Sequence, residues 1–159
     1  MFKIVIKAEG LSKLPAKLKR FRAGIIERVP VMLLLIGQEI AAIAKNDYLS
    51  GPRPGKLGVK SGQLRVSVGP GREGNIFRIS NNTLQFGTNL KYAAAHEYGF
   101  KGTVSVPGHS RGGHPVRSHS RKVNLPARPF LRPALKDAIP GARSIIQRLA
   151  NEALREALA

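Results

Sequence analysis

The sequence predicts an α+β protein of one domain, in which a small antiparallel sheet is packed by a long amphipathic helix and a C-terminal helix, with projecting basic loops. Three observations predict this class. A wide apolar stripe with helical spacing runs through residues 25–49, a second stripe lies near the C-terminus, and short β-rich segments separated by turn residues lie between them. A chain of 159 residues normally forms one domain with its own core, so we treat residues 1–159 as a single unit.

The first 22 residues are predicted to form a basic N-terminal arm. Residues 2–7 alternate apolar and lysine side chains, which indicates a short, half-exposed strand. Residues 11–21 are basic, and we expect a short helix here that Pro15 breaks. Seven basic residues and one acid give the arm a formal charge of 7 − 1 = +6.

The long helix is predicted over residues 25–49. Its apolar positions recur at spacings of four, three, four and three residues, which is typical of one helix face. Pro30 is compatible with this helix only near the first turn, because proline lacks an N–H group. The stripe is wide, so two interpretations stay open: a plain core helix, or a helix that also packs on a neighbouring subunit. The positions of the stripe are Val29, Leu33, Ile36, Ile40 and Ile43.

The middle of the chain is predicted to contain a loop and a hairpin. Residues 50–62 are rich in glycine and proline and form the loop, and residues 63–68 are either a helical turn or the start of a strand. Residues 76–79 and 83–86 are β-rich and flank Asn81-Asn82. Two such segments around an asparagine pair predict a tight hairpin.

The second half is predicted to alternate between helices and one long hairpin. Residues 92–98 favour a short helix that Gly99 ends. Residues 99–125 then form an extended hairpin or loop, with arms at 103–106 and 117–125 and a tip at 107–115. Residues 133–158 form a C-terminal helical region, in which Pro140 suits a first turn. The apolar stripe of this region is Ile146, Leu149, Ala153 and Ala157.

The basic charge is concentrated outside the long helix and the C-terminal helix, which are both close to neutral. The chain has 27 basic and 9 acidic residues, so its net charge is 27 − 9 = +18. Besides the arm, residues 50–72 and 98–136 carry basic residues and no acid. A strongly basic surface favours an anionic partner, and any DNA contact is expected to be to the backbone rather than to bases. The candidate contacts to DNA or to an acidic partner are Arg53, Lys56, Lys60, Arg111, Arg117, Arg121 and Lys122.

The sequence contains no residue pattern that predicts a catalytic site or a metal site. The chain has no cysteine, which excludes disulfides and thiolate sites and fits a reducing compartment. His96-Glu97 lacks the second histidine of a zinc-protease motif, since that position is Phe100. His109, His114 and His119 recur every five residues, which fits neither one helix face nor one strand face. We therefore expect no enzyme, no bound metal and no cofactor.

Three segments resemble motifs of tailed-phage tail-completion proteins, also described as head–tail joining or virion morphogenesis proteins. Residues 57–68 resemble the segment [ST]-G-x-L-R-x-S, residues 92–99 resemble Y-A-x-x-x-E-[FY]-G, and residues 125–135 resemble P-x-[RP]-P-F-L-R-P-A. The three occur in the family's order, and the match covers roughly residues 25–158. The long basic segment between Gly99 and Leu125 departs from the simplest family pattern. The motif residues are Ser61, Gly62, Leu64, Tyr92, Glu97, Tyr98, Gly99, Pro129, Phe130, Leu131 and Pro133.

The resemblance implies a structural role in a phage virion. Members of this family are similar in forming a ring of identical subunits at the neck or upper tail, where the ring joins or terminates the tail. The implied partners are other copies of the chain, the connector or neck proteins, the tail-tube proteins and, through non-specific contacts, packaged DNA. The implied location is the virion, with the host cytoplasm during assembly and no membrane. The alternative from composition is a small basic nucleic-acid-binding protein that acts through backbone electrostatics.

Overall fold

The structure confirms the predicted α+β class. The computed structural model describes residues 13–51, 57–59, 61–71 and 74–159. A long helix, α1 (Leu14–Ile43), packs against the C-terminal helix, and small two-stranded antiparallel sheets lie between them in the chain. The strand predicted over residues 2–7 lies outside the described residues.

Helix α1 is longer than predicted, and two expectations about its N-terminal half are wrong. Pro15 does not break a separate short helix; it occupies the first turn of α1, where a missing N–H costs nothing. Residues 14–22, which are predicted to lie in the basic N-terminal arm, are therefore the first part of α1. Pro30 lies in the helix interior rather than near its first turn. A π-helical turn, Ala44–Tyr48, follows α1 directly.

The C-terminal helix, α5 (Ile139–Leu158), runs antiparallel to α1. The two backbones approach closely at Gly24, where an added Cβ would lie 3.3 Å from the Cβ of Ala153. A salt bridge joins Arg28 to Glu156 at 2.5 Å. Pro140 lies in the first turn as predicted. Of the predicted stripe, Leu149, Ala153 and Ala157 are buried, whereas Ile146 is exposed.

The predicted tight hairpin is confirmed as β1 (Asn75–Ser80) and β2 (Thr83–Thr88). Asn81 and Asn82 form the two-residue turn, and both have the positive φ that a type I′ turn requires. Phe77 pairs directly with Phe86 on the face that packs on α1. Gly37 of α1 permits this contact, because a Cβ there would lie 2.6 Å from the Phe77 ring.

Three short helices complete the core. Residues 63–68 contain a helical turn, α2 (Gln63–Ser67), rather than a strand, and α3 (Ala93–Tyr98) ends at Gly99 as predicted. The C-terminal helical region begins at α4 (Leu131–Asp137), two residues earlier than predicted. The core side chains come from α1, the π-helical turn, α3 and α4 and from the segments around them, with Ile40, Ala44, Leu49, Leu57, Val68, Phe130 and Ala134 among them.

The predicted extended hairpin is present and projects from this core. Its long arms are β3 (Phe100–Val106) and β6 (His119–Leu125), which pair in antiparallel register. Its outer part is a second small hairpin, β4 (His109–Arg111) and β5 (His114–Val116), closed by two glycines with positive φ. No residue from 98 to 129 is buried. We call residues 100–125 the basic ribbon.

Candidate assembly interface

The two best-defined motif segments meet at the side chain of Glu97. One carboxylate oxygen accepts hydrogen bonds from the backbone N–H groups of Phe130 at 2.7 Å and Leu131 at 3.0 Å. The other accepts from the backbone N–H of Arg132 at 3.0 Å and from its Nε at 3.2 Å. These N–H groups begin α4 and have no partner within that helix. We call this set of contacts the clamp.

The clamp keeps Glu97 ionised although the residue is only 3% exposed. Burial by itself raises the pKa of the carboxyl group, since it penalises the charged form. The hydrogen bonds from the N–H groups of Leu131, Phe130 and Arg132 and from the Arg132 side chain outweigh burial, and they hold the pKa of Glu97 below its ordinary value. The negative charge also favours the positive N-terminal end of α4.

Further contacts hold together the residues that lie just before and just after the basic ribbon, next to the clamp. The backbone N–H of Arg128 donates to the carbonyl of His96 at 2.7 Å. Gly99 has a φ of +79°, and a Cβ there would lie 3.0 Å from the backbone nitrogen of Ala127. A side chain at this position would therefore push the two ends of the ribbon apart. The Arg132 guanidinium also lies 4.7 Å from the centre of the exposed Tyr98 ring.

The remaining motif residues fall into two groups. Ser61, Gly62, Leu64 and Tyr92 line an open groove of about 320 Å³ beside Leu57 and His96. In the other group, Phe130 is buried in the core and Leu131 packs against it. Pro129 is exposed and Pro133 is half-buried, at the beginning of α4. The structure thus brings Ser61–Leu64 to Tyr92, and Glu97 and Tyr98 to residues 130–132.

The described basic candidates lie on the ribbon but do not share one face. Directly paired residues of two strands point to the same side, so the register assigns the faces. Arg121 pairs with Val104, whereas Lys122 pairs with Thr103 and points to the opposite side. Arg111 lies in β4 near the tip, and Arg117 lies between β5 and β6. Arg53, Lys56 and Lys60 lie outside the described residues.

Two of the three ribbon histidines, His109 and His119, contact nearby backbone carbonyls. His109 Nδ1 lies 3.2 Å from the carbonyl oxygen of Pro107, and His119 Nδ1 lies 3.1 Å from that of Arg117. Within the described ranges, no three His, Asp or Glu side chains are grouped so that they could hold a metal ion. None of the described helices is both long and apolar enough to cross a membrane.

Sequence reasoning did not select Arg132, although it lies inside the motif at residues 125–135 and completes the clamp. The distribution of acidic residues in the sequence could have indicated this contact. Glu97 is the only acidic residue between Gly74 and Lys136, a stretch with many basic residues. A lone acid in such a segment, on the apolar face of a short helix, requires a buried partner. The arginine at the start of the next helix is the nearest candidate of that kind in the motif.

Comparison with known proteins relates the chain to a prophage protein. It is 30% identical to the Mu-like prophage FluMu G protein 2 of Haemophilus influenzae over 129 residues, which cover 80% of this chain and 83% of that protein. No protein family model matches the chain, and no solved structure matches it. The identity extends over most of both chains, and therefore over more than the motif segments. The chain belongs to the family of this Mu-like prophage G protein.

Proposed function

We propose that the chain is a structural protein of a phage virion. In this proposal it forms a ring at the head–tail junction or the upper tail and joins or terminates the tail during assembly. It acts through binding surfaces, without catalysis and without a cofactor. Its partners are other copies of itself, the connector or neck proteins and the tail-tube proteins.

The observation that carries the proposal is the relationship to a Mu-like prophage protein along most of the chain. It supports the phage context independently of the tail-completion motifs, because the alignment reaches well beyond them. The motifs then narrow the role from a phage protein to a protein that joins or terminates the tail.

The clamp adds a physical reason to take the motif resemblance seriously. The glutamate of one motif and the P-F-L-R segment of the other are far apart in the chain, yet they form one hydrogen-bonded unit. Chance matches to two short patterns have no reason to meet in space. A shared structural unit accounts for both patterns at once.

The basic ribbon supports a role in assembly. Its residues extend from the core without a buried position, and the segment carries basic side chains and no acid. Loops of this kind tolerate variation in length and frequently carry binding functions. A ring of identical subunits uses two different surfaces on each subunit, and a projecting ribbon can supply one of them.

The proposal is tested by removing the gene from a phage that encodes the chain. We expect normal filled heads and separate tails with few joined particles, and complementation with the wild-type gene should restore joined particles. Gold labelling of a tagged chain should mark the neck or upper tail in electron micrographs. Joined, infectious particles without the protein, or a label on the head shell or the tail tip, would contradict the proposal.

The acid-free ribbon is also the observation that favours the alternative, a nucleic-acid-binding protein. For a joining protein we expect weak binding of duplex DNA, with an affinity that falls steeply as salt increases. Tight, sequence-selective binding at physiological salt, together with normal assembly in the absence of the chain, would favour the alternative.

A further inference from the structure

Helix α1 presents an exposed apolar strip beside Gly24 and Arg28, two residues that contact α5. The positions follow helical spacing and all are exposed, with Ile26 at 52%, Val31 at 48% and Leu34 at 37%. Contiguous apolar surface of this kind on a helix indicates a contact site. We call it the outer strip, and it consists of Ala23, Ile26, Glu27, Pro30, Val31, Leu34 and Gln38.

The basic ribbon has a largely apolar face that no element within the described residues 13–51, 57–59, 61–71 and 74–159 buries. Phe100 pairs with Leu125 and Gly102 with Val123, and Val104 and Val106 follow on the same side, where their direct partners are Arg121 and His119. Each of these residues is exposed or only half-buried. Two-stranded hairpins are at best marginally stable alone in water. The ribbon therefore gains stability from a surface that covers this face.

The charges of the two surfaces are compatible with a contact between them. The ribbon has no acid, so it is repelled by most of the surface of a chain with a net charge of +18. The outer strip is an exception, since it contains Glu27 and no basic residue. Pro30 cannot donate to the carbonyl of Ile26, so that carbonyl lacks its helical hydrogen bond and offers an acceptor to a basic side chain.

The dimensions also agree. Strands β3 and β6 have seven residues each, which corresponds to about 23 Å at 3.3 Å per residue. The outer strip extends from Ala23 to Gln38, which corresponds to about 22 Å at 1.5 Å per residue. The ribbon face and the outer strip are therefore about equal in length, and the ribbon face carries Arg121 and His119 on its outer half.

We propose that the apolar face of the basic ribbon of one copy packs on the outer strip of α1 of a second copy. The contact uses two different surfaces, so it is heterologous and can propagate from subunit to subunit until a ring closes. This inference rests on the proposed ring and specifies which two surfaces build it. It also selects between the two interpretations of the long helix, in favour of one that packs on a neighbouring subunit.

Cysteine cross-linking tests the contact directly, because the chain has no cysteine of its own. Val104→Cys is combined in turn with Ile26→Cys, Val31→Cys and Leu34→Cys, and each double variant is oxidised at protein concentrations that extend to the solubility limit. We expect at least one pair to give a ladder of disulfide-linked oligomers that a reductant removes. The matched control is Thr103→Cys with the same partners, since Thr103 lies on the opposite face of the ribbon.

The control should yield at least about fivefold less cross-linked product, because a disulfide requires Cβ atoms about 3.5–4.5 Å apart. The single-cysteine variants should give dimers at most. Equal ladders from Val104→Cys and Thr103→Cys, or no ladder from any of the three pairs at the highest concentration, would overturn the inference.

Sedimentation provides a second measurement that does not depend on disulfide geometry. We expect Leu34→Asp to weaken self-association at least about tenfold, whereas Ser144→Asp, an exposed substitution on α5, leaves it unchanged. Unchanged self-association of a folded Leu34→Asp chain would count against the inference. If gold labelling finds the protein at the neck while the cross-links fail, this inference falls and the proposed function stands. If the cross-links form specifically but the label lies elsewhere in the particle, the contact between copies stands and the proposed location at the neck or upper tail falls.

Discussion

The clamp and the basic ribbon are adjacent in the chain but are built on opposite principles. At the clamp, a buried charge is satisfied by four hydrogen bonds, and Gly99 allows two backbones to touch. In the ribbon no residue is buried, and its largely apolar face stays accessible to solvent. The clamp closes the base from which the ribbon projects. A closed base allows the segment between its two ends to vary in length without a change in the core.

The largest effect on folding is expected at the centre of the clamp. Glu97→Ala leaves the first N–H groups of α4 buried without an acceptor, so the free energy of unfolding should fall by about 3 kcal/mol. Urea unfolding monitored by circular dichroism measures this loss. The matched control is Glu152→Ala on the exposed side of α5, which should change stability by less than about 0.5 kcal/mol. Equal small losses for both variants would mean that the clamp is not a structural centre.

The clamp also predicts a dependence on pH. The pKa of Glu97 is lowered in the folded state, so its contribution is complete above the unfolded value of about 4.3 and is lost as the pH falls below it toward the folded value. The stability difference between wild type and Glu97→Gln should therefore shrink as the pH falls through this range. Urea titrations at a series of pH values measure it, and a difference that is constant down to the acid limit would contradict the assigned role.

An intermediate effect is expected where the first hairpin meets α1. Gly37→Ala would place a Cβ 2.6 Å from the Phe77 ring, and such overpacking costs about 1–3 kcal/mol. In an open helix the same substitution gains about 1 kcal/mol. Gly141→Ala is the matched control, because its new Cβ meets only the flexible end of Glu39. Thermal melts should show a lower midpoint for Gly37→Ala than for Gly141→Ala.

The smallest effect on folding is expected at the tip of the ribbon. Deletion of residues 108–114 removes only exposed positions, so the urea midpoint should be almost unchanged. Assembly should suffer instead, and we expect a marked loss of infectious, tailed particles. Normal yields from the deleted chain would show that the tip is dispensable. A large loss of stability would show that the ribbon and the clamp are not separable as described.

The sequence by itself determined the parts of the fold that depend on local chemistry. The asparagine pair requires positive φ and therefore predicts the first hairpin, Gly99 ends the short helix, and Pro140 marks the first turn of α5. Local rules failed at Pro15 and Pro30. Pro15 has no cost to overcome, because it lies in the first turn of α1. Pro30 lowers the helix propensity of the interior, but packing of α1 against α5 and the first hairpin outweighs that cost.

Only the tertiary structure decided which segments meet. The partners of Glu97 lie more than thirty positions away, and no periodicity in the sequence encodes that contact. The same holds for Gly37 and Phe77, and for the outer strip, whose apolar residues the sequence could not separate from those of the core. Spacing assigns a residue to a face of a helix. Whether that face is covered depends on how distant elements pack, because burial is a property of the assembled fold.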